Sequence, residues 1–460
     1  MDKHKRLNIC LLNDSFPPMI DGVANVVLNY AKIIQRDFGN AIVVTPRYPG
    51  EQDDYPFPVI RYPSVKTPRT AGYRMGLPFP GIVREITHVD HRTGETDHRT
   101  GGTEHRTSGT DHRAGGTEHR TSETEHRTSE TEHRAAGAEH NTSGKDHRTG
   151  GLERSQIDLI HCHCPFVSSV IARSLRQATG APIIMTYHTK YDIDIANTFD
   201  IELLRTAAKR VIVGNIEACD EVWAVSNGSG QNLMSLGYKG GYSVMDNGVD
   251  FPKGPAPDPL IKQVAHDLGL LEEPSDVPVF LYVGRMQWYK NIRLILDGLC
   301  KAKAAGARFR MVFVGVGEDF NEIVFLANSL RLNNECIFAG IIRDRERLRA
   351  VYSLADMLLF PSTFDSAPLA VREAAACGTP GVLVRGSSAA EPVTDGRNAV
   401  LIDENADSLA WAVIELSRNM ERIKKMGDCA LEELYLPWDA AVSRAYEKYL
   451  EVLERHRPAR

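Results

Sequence analysis

Short apolar runs alternate with longer amphipathic stretches along most of this chain. The runs Asn8–Leu12, Ala41–Thr45, Ile157–His161, Ile183–Tyr187 and Glu221–Val225 have the length and apolar content of buried strands. Between them, helical periodicity predicts helices over Val23–Arg36, Val167–Thr179, Ile201–Ala218 and Gly230–Leu236. A proline-dense linker, Pro252-Lys-Gly-Pro-Ala-Pro-Asp-Pro259, interrupts the pattern. Strands then resume at Val279–Val283, Arg310–Val314, Cys336–Ala339, Met357–Phe360, Gly381–Val384 and Ala399–Ile402, again with helices between. This alternation predicts an α/β protein with two doubly wound parallel sheets, one in residues 1–250 and one in residues 251–438. Such domains face each other across a cleft, with the ligand at the carboxyl ends of the strands. Residues 439–460 place Val442, Tyr446, Tyr449, Leu450 and Leu453 on one helical face that needs a packing partner.

Residues 87–151 break the rule. A heptapeptide recurs there in the form DHRTGET, DHRTGGT, EHRTSGT, with an acidic residue before each of nine histidines from His91 to His147. Seven is the coiled-coil period, but no position of this repeat is apolar, so no seam can be buried. The segment is expected to be a disordered insertion into the first domain, tolerated because loop closure costs grow slowly with length. Its regular histidines invite a metal-binding reading, but the surrounding Thr, Gly and Ser offer no framework, and no metal is expected.

Composition narrows the function. Across 460 residues, 42% are hydrophobic and 25% charged, with a net charge of −6, which argues against a dedicated nucleic-acid binder. No apolar run is long enough to span a bilayer, and the eight cysteines are scattered through core segments as reduced thiols. A cytoplasmic protein, at most peripherally associated with the inner face of a membrane, is expected.

Polar groups that could do chemistry fall just after strands. Asp21 and Gly22 follow the first strand and open a helix, where an open backbone could approach a phosphate. Arg285 and Lys290 follow Val279–Val283 and pair a guanidinium fork with a point charge, which suits a diphosphate. The segment from Phe360 to Pro380 reads as strand, loop and alanine-rich helix, with Pro368 in the first helical turn and Gly378 at its close. Asp365 and Glu373, eight residues apart across that junction, suit polyol recognition. In His161-Cys-His-Cys164 the histidines share one strand face and the cysteines the other, which argues against one closed metal site. His188 ends the run Ile183–Tyr187, as a cleft histidine should, although a buried core histidine has the same signature.

Together these segments resemble glycosyltransferase family 4, the retaining sugar transferases of the two-Rossmann GT-B fold. The resemblance rests on Asn13-Asp-Ser-Phe-Pro-Pro with Asp21-Gly-Val, Asp158-Leu-Ile-His161, Thr186-Tyr-His-Thr189 and Asn247-Gly-Val-Asp250. It continues through Gly284-Arg285 with Lys290, and through Asp365 to Glu373. It implies a nucleotide-sugar donor, most often UDP-linked, and no metal or other cofactor. On that resemblance Arg285 and Lys290 hold the diphosphate. Gly22, Ser366, Leu369 and Glu373 complete the nucleotide site, with Glu373 on the ribose. Asp365 meets the transferred sugar, His188 lines its site, and Asp21 and His161 contact substrate. The tail helix, 439–460, crosses back onto the first domain.

Three departures stand out: Asp365 where Glu is commoner, Ser366-Ala367-Pro368 where a Gly is common, and Asp246 where Pro is common. Pro368 has no N–H to offer a sugar. A catalytically degenerate binder of nucleotide-sugar or of a partner protein is therefore the competing reading. The combination of His161-x-His163-x-Pro165-Phe with Thr-Tyr-His-Thr is similar to that of glycolipid synthases acting on diacylglycerol. Lys66, Arg69, Arg74 and Arg84 could turn a basic face toward anionic lipid. A soluble sugar or polysaccharide intermediate remains the alternative acceptor.

Overall fold

The computed structural model describes residues 6–19, 21–51, 53–66, 74–79, 81–88, 157–198, 200–271 and 277–456. The heptapeptide repeat and Arg69 lie outside them. Both sheets belong to one compact unit.

The first domain is built on β1 (Leu7–Leu12), β2 (Gly39–Pro46) and β3 (Val59–Tyr62), followed by a small hairpin of β4 (Ser64–Lys66) and β5 (Arg74–Gly76). It continues with β6 (Leu159–Cys162), β7 (Ile183–Tyr187), β8 (Glu221–Ala224) and β9 (Ser243–Val244). Apart from the hairpin, these strands form one parallel sheet in the order β3-β2-β1-β6-β7-β8-β9. The chain runs outward from β1 in one direction, then returns beside β1 with β6 and runs outward in the other. The reversal between β1 and β6 leaves a crevice at their carboxyl ends.

The second domain repeats the plan with β10 (Val279–Val283), β11 (Arg310–Val314), β12 (Cys336–Gly340), β13 (Met357–Phe360), β14 (Gly381–Val384) and β15 (Ala399–Ile402). Their order is β12-β11-β10-β13-β14-β15, all parallel, with the reversal between β10 and β13. Strands covered on both faces must be apolar throughout, and β13 and β14 are buried at every position.

Helices of the first domain are α1 (Gly22–Ile33), α2 (Ile82–Thr87), α3 (Val167–Thr179), α4 (Tyr191–Thr198), α5 (Glu202–Glu217) and α6 (Asn227–Ser235). Those of the second are α7 (Asp258–Asp267), α8 (Ile292–Ala304), α9 (Phe320–Ser329), α10 (Arg345–Leu354), α11 (Leu369–Ala376), α12 (Ala406–Ser417) and α13 (Met420–Leu434). Local chemistry explains where several begin. Ser226 and Ser229 cap α6 reciprocally, so that helix starts at Asn227, three residues before the apolar pattern indicates. The helix predicted over Val23–Arg36 is α-helical only to Ile33 and finishes as a wider π-turn over Ile34–Phe38. Strand β3 was hidden from pattern reading by its flanking prolines, Pro58 and Pro63, which permit a short edge strand.

The last helix, α14 (Trp438–His456), leaves the second domain and packs on the first. Its Val442, Ala445, Tyr446, Tyr449 and Val452 join Leu7, Ile9, Val27 and Trp223 in one core cluster. Tyr449 stacks on Trp223 at 5.4 Å and brings its hydroxyl within 2.6 Å of Nδ1 of His161. Polar contacts further join the domains. Asp246 accepts from Arg372 at 2.6 Å, and Asp250 is paired with Arg345. Lys190 donates to the carbonyl of Thr363 at 3.0 Å. Glu391 accepts from the amides of Asn227 and Gly228 at the start of α6, at 2.7 and 2.5 Å. A side chain at Gly228 would sit 2.1 Å from Oγ of Ser388, so only glycine permits this approach.

The tail helix therefore has a testable anchor. Tyr449→Phe keeps the ring and leaves a buried nitrogen of His161 without its partner, at a cost of about 1–3 kcal/mol. Urea denaturation should show a correspondingly lower midpoint with unchanged slope; an unaltered midpoint would remove this bond from the account of stability.

Candidate active site

The two sheet reversals place four loops around the cleft, following β1, β6, β10 and β13, and the loop after β7 joins them. In the first loop Asp21 is the N-cap of α1: its Oδ1 accepts from the amide of Ala24 at 2.8 Å. Its Oδ2 is buried and has no partner. A side chain at Gly22, the first helical residue, would meet nothing within 4 Å, so the backbone there is open to a ligand. Asp14 ties this loop to the sheet and to α3 by accepting from Tyr62 at 2.7 Å and from Ser168 at 2.7 and 2.9 Å.

Three histidines line up behind the cleft. His161 has no exposed surface; its Nδ1 meets Tyr449 and its Nε2 meets Oγ1 of Thr186 at 2.7 Å. The expectation that His161 contacts substrate is corrected: both ring nitrogens are used inside the core. His163 lies 4.0 Å from it, ring centre to ring centre, and its Nδ1 is 3.0 Å from Nε2 of His188. His188 keeps slight exposure, consistent with its place at the end of β7. Burial holds all three rings neutral, well below the usual histidine range, and pushes His188 down to about 3. Cys162 and Cys164 fall elsewhere: the Cys162 thiol points to the carbonyl of Cys164, and burial raises both thiols.

Across the cleft, the loop after β10 turns through a short 3₁₀ segment, Trp288–Lys290, into α8. Nζ of Lys290 lies 2.5 Å from Oδ1 of Asp365, and both side chains are largely shielded, at 12% and 19% exposure. Oδ2 of Asp365 is buried and unpartnered. The structure thus brings together the cation assigned to diphosphate and the carboxylate assigned to sugar. Lys290 also sits over Phe364 and Tyr289, at 5.0 and 5.3 Å from their ring centres. Arg285 is half-buried in the same loop, and its carbonyl accepts from Tyr282 at 3.1 Å.

After β13, Ser366 is buried and Pro368 stands at the N-cap of α11, one position earlier than the first turn where the pattern put it. Leu369 opens the helix, so its amide belongs to the terminal set without intrahelical acceptors, while its side chain packs against the first domain's core. Glu373, one turn further, is buried; Oε1 accepts from Arg345 at 2.7 Å and Oε2 from Tyr352 at 2.8 Å. Arg345 and Tyr352 carried no signal in the sequence, because both come from α10, more than twenty residues upstream. Lys190 was missed for the same reason: it is two residues past His188 in sequence, but its partner, Thr363, belongs to the other domain. Next to that bridge opens a cavity of about 380 Å³, bounded by Lys190, Thr363, Arg385, Ser387, Asp403 and Glu404.

Residues 149–252 match the family described as Glycosyltransferase Family 4, and residues 270–432 match Glycosyl transferases group 1. The chain belongs to this glycosyltransferase family. It is accordingly a hexosyltransferase with the GT-B fold. Among curated relatives, D-inositol 3-phosphate glycosyltransferase 2 of Catenulispora acidiphila is 28% identical over 324 residues, which cover 67% of this chain and 74% of that one. Alpha-monoglucosyldiacylglycerol synthase of Streptococcus pneumoniae is 24% identical over 264 residues, 56% of this chain and 59% of that one. Among solved structures, sucrose-phosphate synthase of Thermosynechococcus elongatus superposes with a TM-score of 0.68 at 18% identity, covering 98% of this chain and all of that one (100%). Anabaena HepE, solved with UDP and glucose, has a TM-score of 0.65 at 15% identity, covering 96% and 99%. At such identities the likeness is one of fold.

The histidine cluster of this glycosyltransferase makes stability depend on pH. Each ring is held neutral when folded and gains a proton on unfolding below about 6.5, so its contribution is complete above that value and is lost as pH falls, for His188 toward about 3. Near pH 5.5 each of the three should cost up to about 1.4 kcal/mol. Thermal denaturation should move to lower temperature as the pH drops from neutral, and His188→Gln should flatten that slope; identical slopes for variant and wild type would remove His188 from the effect.

Proposed function

We propose that the protein transfers a hexose, with retention of configuration, from a nucleoside diphosphate sugar to a hydroxyl of a membrane lipid. UDP is the proposed nucleotide, in keeping with the UDP held by the structural relative Anabaena HepE. The observation that carries the transferase half is the contact of Lys290 with Asp365, 2.5 Å apart at the reversal between β10 and β13, in the loops that also bear Arg285 and lead into α11 with Glu373. In the proposed reaction the bond from the anomeric carbon to the β-phosphate oxygen breaks while the acceptor oxygen bonds to the same face. The acceptor's proton ends on the departing diphosphate, so the enzyme needs no nucleophile. Negative charge grows on that leaving group, and Arg285, Lys290 and the open amides of α11 oppose it most strongly when the bond is nearly broken. These cations supply the charge a metal would otherwise bring, and no metal is part of the proposal. Asp365, whose second oxygen is unpartnered, would accept from sugar hydroxyls, and Glu373 from the ribose.

Support for a lipid acceptor comes from α5, which follows α4 beyond His188. Along α5, Leu203, Leu204, Ala207, Val211 and Gly214 recur at helical spacing and are all exposed, Leu203 at 76% and Val211 at 60%. Arg210 is exposed beside them, with Arg205 and Lys209 on the same helix. An outward apolar stripe flanked by cations suits an anionic bilayer surface. Of the basic face expected from Lys66, Arg69, Arg74 and Arg84, Lys66 and Arg84 are exposed, Arg69 lies outside the described residues, and Arg74 directs its guanidinium to Ser64 at 2.7 and 2.9 Å. No helix among the described residues is long and apolar enough to cross a membrane, so the proposed attachment is peripheral, at the cytoplasmic face. The glycolipid synthase of Streptococcus pneumoniae names the same class of acceptor.

Two measurements test the two halves. Release of free nucleoside diphosphate from UDP-, GDP- and ADP-sugars should occur with one donor and rise with diacylglycerol, and Arg285→Ala should lower it by about 10²-fold while the fold is kept. Silence across the panel from folded protein would sink the transferase proposal in favour of a nucleotide-sugar binder. Separately, the protein should sediment with phosphatidylglycerol-containing vesicles, and the pair Leu203→Glu and Val211→Glu should abolish this without unfolding. Retention by the double variant, or self-association in place of vesicle binding, would overturn the lipid face.

A further inference from the structure

His163 is buried, takes no part in the cleft surface, and has one ring nitrogen that nothing satisfies. Its Nδ1 lies 3.0 Å from Nε2 of His188, and the two ring planes are 25° apart with centres at 5.2 Å, so the imidazoles meet through their nitrogens. Its other nitrogen, Nε2, is buried without a partner. Tyr30 closes one side of the pair at 5.7 Å, and His161 the other, with both its own nitrogens occupied. Burial keeps both members of the pair uncharged. Two neutral imidazoles can share one hydrogen bond only if one donates and the other accepts, so each tautomer dictates the other.

The unsatisfied nitrogen decides the direction. Were Nε2 of His163 the protonated atom, a buried N–H would be orphaned, which folded proteins rarely tolerate. A bare lone pair is the lesser cost. Nδ1 of His163 is then the protonated atom, and its N–H donates to Nε2 of His188. His188 in turn must carry its proton on Nδ1.

We propose that His163 is a positioning residue that fixes His188 as its Nδ1–H tautomer, so that the cleft is offered a hydrogen-bond donor and not an acceptor. The proposal rests on the transferase reading only for the identity of the ligand, an electronegative oxygen of the bound sugar. A donor there would fasten a hydroxyl or ring oxygen of the sugar as positive charge develops at the neighbouring carbon, while an uncharged ring avoids repelling that charge. The geometry leaves Asp365 across the cleft to accept from hydroxyls, so the two walls have complementary roles.

The test separates tautomer from turnover. In protein labelled with ¹⁵N-histidine, nitrogen–proton correlation spectra report which nitrogen of each ring is protonated, whether or not the enzyme turns over. Wild type should show His188 protonated on Nδ1. His163→Asn, whose amide can donate from nearly the same position, should keep that pattern and most of the activity. His163→Asp, which can only accept when ionised, should move the proton of His188 to Nε2, and nucleoside diphosphate release should fall at least about tenfold. A wild-type spectrum with His188 protonated on Nε2 overturns the proposal outright, and so does unchanged turnover in a His163→Asp protein whose tautomer has switched. Should His163→Asp fail to fold, the wild-type spectrum and the His163→Asn activity still decide the matter. If no donor is turned over while the spectrum is as stated, the tautomer assignment stands and the transferase reading alone fails.

Discussion

The hydrogen bond between Tyr449 and His161 joins the end of the chain to the middle of the first sheet, and much else leans on it. It secures α14 across the back of β1 and β6, beside Trp223 and Tyr30. Because α14 follows directly from the second domain, the same contact holds that domain near the first. His161, fixed from both ends, forms the wall against which His163 and His188 are arranged. A tail helix that packs on the opposite domain thus links interdomain geometry to the histidine nearest the cleft.

Charged groups around the cleft are largely paired within the protein. Lys290 meets Asp365, and Arg345 meets both Glu373 and Asp250. Such pairing limits the desolvation cost of shielded ions. On the proposed reading it also gives a donor specific competitors: diphosphate would share Lys290 with Asp365, and a ribose would use the lone pairs of Glu373 that Arg345 and Tyr352 leave. The Arg345 fork has a further consequence, since Asp250 closes the Asn247-Gly-Val-Asp250 turn just before the interdomain linker. Glu373 and the approach to the linker therefore meet on one guanidinium, which also lies 4.4 Å over the ring of Phe251.

Most strands and the parallel arrangement were legible because both faces of each central strand are buried, which forces continuous apolar runs. Val279–Val283, Arg310–Val314, Met357–Phe360, Gly381–Val384 and Ala399–Ile402 run over the same residues in the sequence pattern and in the sheet. Elements at the margin were not legible. The edge strand β3, the β4–β5 hairpin and the short helices α2 and α4 bury too little to impose a period. The loops bearing Asp21, Arg285, Lys290 and Asp365, and the helix α11 that carries Glu373, could be located because polar residues after a buried strand have few places to go other than the sheet's carboxyl edge. His161 misled for a definite reason: a histidine at the end of a strand has the same local sequence whether its ring faces solvent or a tyrosine from the far end of the chain.

The sequence by itself determined the two wound domains, the family, and which loops reach the cleft, since hydrophobic period and motif order are local properties read along the chain. Only the tertiary structure decided what each polar group touches. The pairing of Lys290 with Asp365, of Glu373 with Arg345 and Tyr352, and of His163 with His188 depends on distances between segments separated by 21 to 75 positions. Hydrogen bonds and ion pairs act over a few ångströms and leave no periodic trace, so their partners become known only when the chain is folded.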